Sequence, residues 1–362
     1  MKKIGIVTII DYYNYGNRLQ NYAVSHLLND RLGCSAVTLE GYAESFTRGN
    51  AAGMIKEQLA LQLCRFPRLA ERLLPPYVIR WFNFSRWSRR WIPRKRFYSC
   101  KELPNALDRQ FDLFICGSDQ VWNCRLKNFR ADDFFLSFTA DHKKIALSAS
   151  FGINELPKEQ KDFYRTGLAG FSHISVREEA GARIVRELTG KDVPVLIDPV
   201  LILGREEWIR TEKEPGVDIS RPYVLKYYLG ETDTNIDGWA RDKGVALYDL
   251  MDPQTPALCS AGPGEFISLV RNAGLICTDS FHCTALAILF RRPFIVYDRR
   301  DREESMMSRM DTLLGKFGFE ERRSSVLEQK DYLNCHFDYA EERLAIERQI
   351  FMNYLKEILY EP

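Results

Sequence analysis

The sequence predicts an α/β protein of two domains, each a parallel β-sheet covered by helices, that face each other across a cleft. Strand-like apolar runs alternate with amphipathic stretches from one end of the chain to the other, which is typical of parallel sheets. The 362 residues are 45% hydrophobic and 28% charged, which suits two globular domains. The charged segment WIRTEKEPGVDISRP, with its Gly and Pro residues, interrupts the alternation near residue 210.

The first half of the chain contains six predicted strands and three predicted helices. The strands are expected at residues 4–10, 36–39, 113–116, 145–150, 173–176 and 195–197. The helices are expected near residues 18–32, 158–167 and 178–188. Because each helix lies between two strands, we expect neighbouring strands to run parallel.

The second half repeats the alternation and ends in a long helix. Strands are expected at residues 223–228, 246–248, 275–277 and 294–297, with helices near 237–243, 265–272 and 284–290. The last segment, 339–360, has apolar residues at helical spacing throughout. We therefore predict a first domain at residues 1–210, a second at 211–338 and a C-terminal helix at 339–362.

Composition argues against several classes of protein. The net charge of +2 gives no overall field that would attract nucleic acid. The nine cysteines are scattered without a CxxC pair, so we expect buried, reduced thiols rather than disulfides or a zinc site. Residues 4–10 follow two lysines as in a signal peptide, but the run is short and lacks a small-residue cleavage site, so we expect a strand. No apolar stretch approaches the ~20 residues of a membrane helix, and we expect a soluble, cytoplasmic protein.

A basic and aromatic insertion at residues 50–100 differs from the rest of the chain. Between residues 56 and 96, arginines and lysines are interleaved with aromatic side chains such as Trp81, Trp87 and Trp91. One interpretation is a peripheral contact with anionic lipid or a lipid-linked phosphate. The other is a helical insertion whose aromatic residues pack on the first domain while the arginines stay solvated. Nucleic-acid binding has no further support in the sequence.

The stretch LICTDSFHCTALAILFRRPFIVY, residues 275–297, is the most informative part of the chain. It predicts a β–α–β unit in which Asp279, Ser280 and His282 lie at the carboxyl end of a strand and the start of a helix. Open α/β sheets bind ligands at this position, because free helix N–H groups and the helix dipole favour an anion. A histidine there can move protons near neutral pH. We therefore predict an anionic substrate with His282 in its site.

Four more polar clusters follow strand-like runs. Gly16 can form a tight turn after the first strand and Asn17 can cap the next helix, although such residues also simply form turns. The second cluster follows the strand at 113–116. Its acid, Asp119, and a neighbouring amide can hydrogen-bond a sugar, and the indole of Trp122 can stack under it. The same residues can also start a capped helix. The third has small hydroxyls, which suit either a close ligand or tight packing. The residues concerned are Gly16, Asn17, Arg18, Ser118, Asp119, Trp122 and Ser150.

The fourth cluster, SVREE, contains an arginine at the start of a predicted helix. Acids suit a helix N-terminus, but Arg177 is unfavourable there unless an anion or an acid pairs with it. The guanidinium fork suits a carboxylate or a phosphate of a ligand. A salt bridge to Glu178 or Asp198 is the alternative.

Taken together, the clusters resemble the polysaccharide pyruvyl transferase family over roughly residues 3–320. The ordered set that carries the resemblance is NYGNRLQNYA, FDLFICGSDQVWN, SASFG, SVREE, LIDPVLIL and TDSFHCTALAILFRRPFIVY. The resemblance implies two Rossmann-like domains facing a cleft, a glycosyltransferase-B-like architecture, with a C-terminal helix crossing back. It also implies phosphoenolpyruvate as donor and a sugar of a surface polysaccharide or its precursor as acceptor, pyruvylated as a cyclic ketal.

The resemblance assigns roles residue by residue. His282 matches the family's histidine and Arg177 the arginine of its Ser-x-Arg motif, which makes them the catalytic candidates. Gly16 and Asn17 match a Gly-Asp turn on the acceptor side. Many members have Arg-Leu-His where this chain has Ser280-Phe281-His282, and Cys283 stands where related Ser-Phe-His sequences usually have Gly. The expected donor contacts are therefore drawn from a wider set, with Arg177 as a further candidate: Asp279, Ser280, Lys226 and Arg309.

Two alternatives stay open. A glycosyltransferase of the same architecture would use a nucleotide sugar, and a non-catalytic protein would bind carbohydrate or assemble a polysaccharide-synthesis complex. For the pyruvyl transferase we expect no cofactor and no metal, because an acid–base group and cations for the donor would suffice. If the acceptor is lipid-linked, the protein is expected at the inner face of the membrane.

Overall fold

The computed structural model describes residues 1–41, 73–97, 107–126, 131–232, 234–299 and 308–360. Within these ranges the first half contains six strands, five of them at predicted places and one, β3, that was not predicted. Its elements are β1 (Lys3–Val7), α1 (Tyr15–His26), β2 (Ser35–Gly41), α2 (Pro76–Trp91), β3 (Arg94–Phe97), β4 (Leu113–Cys116), α3 (Ala131–Phe134), β5 (Lys144–Ala149), α4 (Lys161–Ala169), β6 (His173–Val176), α5 (Glu179–Thr189) and α6 (Arg205–Ile209).

The described residues of the second half contain four strands and end in the long predicted helix. Its elements are β7 (Tyr223–Tyr227), α7 (Ile236–Asp242), β8 (Ala246–Asp249), α8 (Pro256–Cys259), α9 (Pro263–Asn272), β9 (Leu275–Thr278), α10 (Phe281–Phe290), β10 (Phe294–Val296), α11 (Ser308–Phe317) and α12 (Asp338–Tyr360). The two sheets therefore follow each other along the chain, separated by residues 177–222. Where one domain ends within that segment stays a prediction.

The first sheet is parallel throughout and has the order β3-β2-β1-β4-β5-β6. The strand order reverses between β1 and β4, so the loops after these two strands leave in opposite directions and open a crevice. Strands β4 and β5 are almost completely buried, as expected of apolar strands covered by helices on both faces. The crevice lies at the carboxyl ends of β1 and β4.

The second sheet is smaller, also parallel, and has the order β10-β9-β7-β8. Here the order reverses between β7 and β9, which pair from Val224 with Leu275 to Tyr227 with Thr278. The run LICT of β9 is buried along its whole length. The second crevice is therefore next to the polar residues that follow β9.

One continuous hydrophobic core joins the two halves. Tyr15 of α1 stacks on Phe266 of α9 with ring centroids 4.1 Å apart, and its hydroxyl donates to the carbonyl of Ala261 at 2.7 Å. Helix α12 returns to the first half, because Arg348 Nε donates to the carbonyl of Leu201 at 2.7 Å. The predicted crossing of the C-terminal helix is confirmed.

Two expectations about the first half need comment. The predicted strand at 195–197 makes a single bridge, from Val195 to Val176, because a 3₁₀ turn capped by Asp198 begins immediately afterwards. Residues 50–72 and 98–100 of the basic insertion lie outside the described residues. Its described helix α2 buries Phe84 and Trp87 and exposes Arg86 and the arginines near its end.

The packing of α2 favours the structural interpretation for that helix. Contact of residues 56–96 with a membrane stays a prediction. Among the helices of the described ranges, none combines the length and the apolarity needed to cross a bilayer.

Candidate active site

A cavity opens where the carboxyl ends of the two sheets meet. It encloses about 700 Å³, including the space open to solvent. Loops after β1 and β4 form one wall, and the loops after β7, β9 and β10 with the start of α10 and of α11 form the rest. The lining residues are Asn14, Asp119, Gln120, Leu229, Asp279, Ser280, Phe281, His282, Tyr297, Arg299, Arg309 and Met310.

His282 lies in the first turn of α10, as predicted. Ser280 caps this helix, since its hydroxyl accepts a hydrogen bond from the backbone N–H of Cys283 at 3.5 Å. Only 6% of the His282 residue surface is exposed, and that part faces the cavity. The β9–α10 turn therefore presents the imidazole to a bound molecule at the positive end of a helix dipole.

Asp279, predicted to bind the donor, shapes the loop opposite. Its carboxylate accepts from the backbone N–H of Leu229 and of Gly230 at 2.8 and 2.9 Å. It also pairs with Arg299 Nε at 2.6 Å. A carboxylate with three protein donors stabilises the loop after β7, and a contact of Asp279 with the donor stays a prediction.

The imidazole of His282 packs directly on Gly16 in the first turn of α1. A Cβ added at Gly16 would lie 1.8 Å from Nδ1 and 2.3 Å from Cγ of His282. The turn is fixed by Asn14, whose side chain accepts from the N–H of Asn17 at 3.2 Å. The helix cap is therefore Asn14, not Asn17, and Gly16 is needed because the two domains touch at this point.

Gly16→Ala is expected to displace the His282 ring and reduce turnover by about 100-fold, since a misplacement of about 1 Å costs that much. Initial rates of the purified variant, corrected for its folded fraction, would measure this. Gly315→Ala is the matched control, because its Cβ would meet only Glu320 at an ordinary 3.6 Å. Wild-type turnover in Gly16→Ala would contradict the contact.

Asp198 is a member of the site that sequence analysis did not select as a functional residue, and Arg299 is another. Oδ2 of Asp198 lies 3.4 Å from Nε2 of His282 and accepts an ion-paired hydrogen bond from Nη1 of Arg177. Ser118 Oγ also donates to it, at 3.4 Å. The side chain is fully buried. The available signal was an acid between an apolar run and a proline, which alone indicates only a turn.

The charges around Asp198 keep it ionised. Burial alone would raise the pKa of this carboxyl, but His282 and then Arg177 outweigh burial and hold the pKa well below its usual range. The carboxylate can therefore accept a hydrogen bond from Nε2–H of His282. Buried Asp198 can thus fix the orientation of the imidazole.

Arg177 lies behind His282 and does not line the cavity. Its Nη1 is 3.5 Å from Nε2 of His282, and its guanidinium covers the ring of Phe281 at 4.6 Å. Burial would lower the pKa of Arg177, but Asp198 and Asp119 outweigh it and raise the pKa. Its Nε and Nη2 make no hydrogen bond with the described part of the chain. The sequence left open a salt bridge or a ligand contact, and the salt bridge to Asp198 is present.

The first-domain wall presents a carboxylate supported by a small network. Nδ2 of Asn17 donates to Oδ2 of Asp119 at 3.1 Å, and Arg18 Nε donates to Oδ1 of Asn17 at 3.0 Å. Arg18 is 1% exposed. Burial would raise the pKa of Asp119, but His282 and Arg177 outweigh it and lower the pKa. Asp119 therefore faces the cavity as an anion, and Arg18 supports it from behind.

Arg309, predicted as a donor contact, does line the cavity. Its guanidinium lies 5.8 Å from the centre of the Phe281 ring, on which Arg177 also packs. Arg299 lines the cavity as well, although Asp279 already pairs with it. His282, Arg299 and Arg309 are therefore the basic groups that a bound anion would meet first.

Three predicted contacts lie away from the cavity. Lys226 pairs with Asp249 at 3.2 Å and does not line it. The hydroxyl of Ser150 donates to buried Glu178 at 3.1 Å. Trp122 is fully buried, and its indole N–H donates to the carbonyl of Phe134 at 3.2 Å. No ring face of Trp122 is exposed, so the prediction that it stacks under a sugar is wrong.

Trp122→Ala is expected to destabilise the protein by about 3–5 kcal/mol, the usual cost of removing a buried aromatic side chain. The ring packs on Phe151 and Phe171 with centroids 5.2 and 5.6 Å away. Denaturant unfolding would measure the free energy. Trp122→Phe should retain activity. If Trp122→Ala lost ligand binding at unchanged stability, Trp122 would have to contact the sugar after all.

The profile of one protein family matches most of the sequence. It is described as polysaccharide pyruvyl transferase, and it matches residues 14–301. The chain belongs to the polysaccharide pyruvyl transferase family. The protein is accordingly an enzyme of the transferase class. A comparison with curated proteins finds no significant match.

Solved structures are similar to this polysaccharide pyruvyl transferase in fold. A protein provisionally described as a UDP-N-acetylglucosamine 2-epimerase from Listeria monocytogenes is 9% identical, with a TM-score of 0.54 over 100% of this chain and 98% of that one. The UDP-GlcNAc 2-epimerase from Neisseria meningitidis is 11% identical over 99% and 100% of the two chains, with a TM-score of 0.49. The Listeria structure confirms the predicted glycosyltransferase-B-like fold, and an identity this low shows the fold alone.

Among the residues that the structure describes, no cluster of three or more His, Cys, Asp and Glu side chains is arranged to hold a metal ion. The polar groups at the cavity are instead paired acids and bases, as in the contacts of Asp198 with Arg177 and of Asp279 with Arg299. The chemistry that these residues can supply themselves is proton transfer and stabilisation of an anion.

Proposed function

We propose that the protein transfers the pyruvyl group of phosphoenolpyruvate to two hydroxyls of one sugar, as a cyclic ketal. The sugar belongs to a surface polysaccharide or to its lipid-linked precursor. The observation that carries the proposal is His282, which faces the cavity at a helix N-terminus with Asp198 behind it and Arg309 on the same wall. We place the reaction in the cytoplasm, because phosphoenolpyruvate is made there.

In the proposed reaction His282 gives a proton to the methylene carbon of the donor. The neighbouring carbon becomes an oxocarbenium-like centre, which the first sugar hydroxyl attacks, and that hydroxyl's proton returns to His282. The bond from this carbon to the phosphate oxygen then breaks, the second hydroxyl closes the ketal, and its proton leaves with phosphate. General acid–base catalysis of this kind contributes about 10²–10⁴-fold.

The remaining groups bind and orient. Arg309 and the N–H groups at the start of α10 hold the anionic donor, in place of the arginine that many family members have two residues before the histidine. Asp198 fixes the His282 ring, and Arg177 balances the charge of Asp198. Asp119, ionised and on the opposite wall, accepts a hydrogen bond from an acceptor hydroxyl.

The direct test is product analysis in D₂O with phosphoenolpyruvate and a panel of bacterial glycans. The proposal predicts release of inorganic phosphate and a ketal whose methyl group carries a single solvent deuterium. Parallel reactions with UDP-sugars test the glycosyltransferase alternative. Release of UDP without any phosphate from phosphoenolpyruvate would overturn the proposal.

A further inference from the structure

Four aromatic side chains form a patch beside the cavity that the proposed chemistry does not use. This rim patch consists of Tyr12, Tyr13, Tyr77 and Trp81. Tyr77 is 60% exposed and Tyr13 45% exposed, although both are large aromatic residues. The rings of Tyr12 and Trp81 lie 5.8 Å apart. Exposed aromatic side chains grouped in this way mark an interaction surface more often than single ones do.

The rim patch is fixed in place at the edge of the cavity. Asn14, the residue after Tyr13, lines the cavity. Arg80 lies one helical turn after Tyr77 and donates from Nη2 to the carbonyl of Tyr13 at 3.2 Å. Burial, and after it the phenol of Tyr77, raises the pKa of Tyr13, in keeping with their proximity.

Arg80 also joins the rim patch to the second domain. Its Nη1 donates to the carbonyl of Leu250, just after β8, at 3.5 Å. The residue is 5% exposed, and its guanidinium covers the ring of Tyr15 at 4.6 Å. The first turns of α2 are therefore held against both walls of the cleft, so the exposed rings have a fixed position relative to His282.

We propose that the rim patch binds sugar residues of the acceptor chain next to the one that reacts. Sugar rings present C–H faces, which pack on aromatic rings, and hydroxyls, which bond to polar tips. Tyrosine and tryptophan supply both surfaces with few rotatable bonds. Asn14, which lines the cavity, directly follows Tyr13 of the patch, and this favours a polymeric acceptor that passes over the patch. This inference rests on the proposed function and adds the side chains that contact the sugars of the acceptor that do not react.

The test is binding of the full-length protein to an array of defined mono-, di- and oligosaccharides without donor. Wild type should prefer oligosaccharides to the corresponding monosaccharides. Tyr77→Ala and Tyr13→Ala should bind them at least tenfold more weakly. Tyr339→Ala is the matched control, because Tyr339 is equally exposed, at 59%, but lies on α12. It should bind as wild type does.

Two further measurements separate this inference from its alternatives. The thermal stabilisation by phosphoenolpyruvate should be the same in Tyr77→Ala and wild type, so the failure of the donor and the failure of the rim patch give different results. Unchanged glycan binding in both tyrosine variants, or no glycan binding by wild type, would overturn the inference. The inference would also be overturned if the two tyrosine variants lost binding to phosphatidylglycerol vesicles but kept glycan binding. That result would assign the patch to a lipid surface.

Discussion

His282→Ala is expected to reduce the rate of phosphate release by about 10²–10⁴-fold, because it removes the proposed acid–base group. The imidazole is the titratable cavity group whose nitrogen contacts the buried pair Asp198 and Arg177, and it packs on Gly16. Steady-state rates with phosphoenolpyruvate and an acceptor glycan that the wild type binds would measure the loss. Far-UV circular dichroism would establish that the variant is folded.

His173→Ala provides the control for His282→Ala. His173 is exposed at the start of β6, and its ring hydrogen-bonds with the hydroxyl of its neighbour Ser172, away from the cavity. Its replacement should leave the rate of phosphate release within a factor of two of the wild-type rate. An active His282→Ala variant, with phosphate release near that of His173→Ala, would remove the imidazole from the mechanism.

Asp198→Asn is expected to destabilise the protein by about 3–5 kcal/mol, because it leaves the buried charge of Arg177 without its closest partner. The amide has nearly the shape of the carboxylate, so packing changes little. Asp119, 3.7 Å from Nη2 of Arg177, offsets part of the loss. Urea unfolding at neutral pH would measure the free energy.

The effect of Asp198→Asn is also expected to depend on pH. The pKa of Asp198 in the folded state lies below its unfolded value of about 4. Its contribution to stability is therefore full above about pH 4 and is lost as the pH falls through the lower folded pKa. The difference in unfolding free energy between wild type and Asp198→Asn should narrow below about pH 4. A difference that stays constant on acidification would contradict the ionised pair.

Asp237→Asn is the matched control for Asp198→Asn. Asp237 pairs with Lys226 at 3.4 Å, but half of its side chain is exposed. An exposed pair is worth less than about 1 kcal/mol, and salt screens it. Equal destabilisation by the two substitutions would mean that burial of Asp198 has no special effect.

The elements that place the site were readable from the sequence because each depends on local pattern. The β–α–β unit at 275–297 needs only an apolar run, a polar turn and a second apolar run, and the structure has it with His282 in the first helical turn. The parallel order of the strands follows from the helices between them. Gly16 was selected for its turn, and the structure adds the contact with His282.

The predictions that failed, and the missed residue Asp198, depend on tertiary packing. An indole after a strand can face a ligand or the core. Trp122 is buried because the rings of Phe151 and Phe171, which are distant in sequence, pack on it. Asp198 is 84 residues from His282 in sequence, and it reaches the site because two domains meet there. No local periodicity contains that information.

The measurement that tests the central claim most directly is the thermal stability of wild type and Arg309→Ala with millimolar phosphoenolpyruvate or UDP-GlcNAc. A ligand that binds only the folded state adds about 2.7 kcal/mol at a hundredfold excess over its dissociation constant. The account predicts stabilisation of wild type by phosphoenolpyruvate, a smaller effect in Arg309→Ala and none by UDP-GlcNAc. Stabilisation by UDP-GlcNAc alone would contradict the account and make the cavity a nucleotide-sugar site.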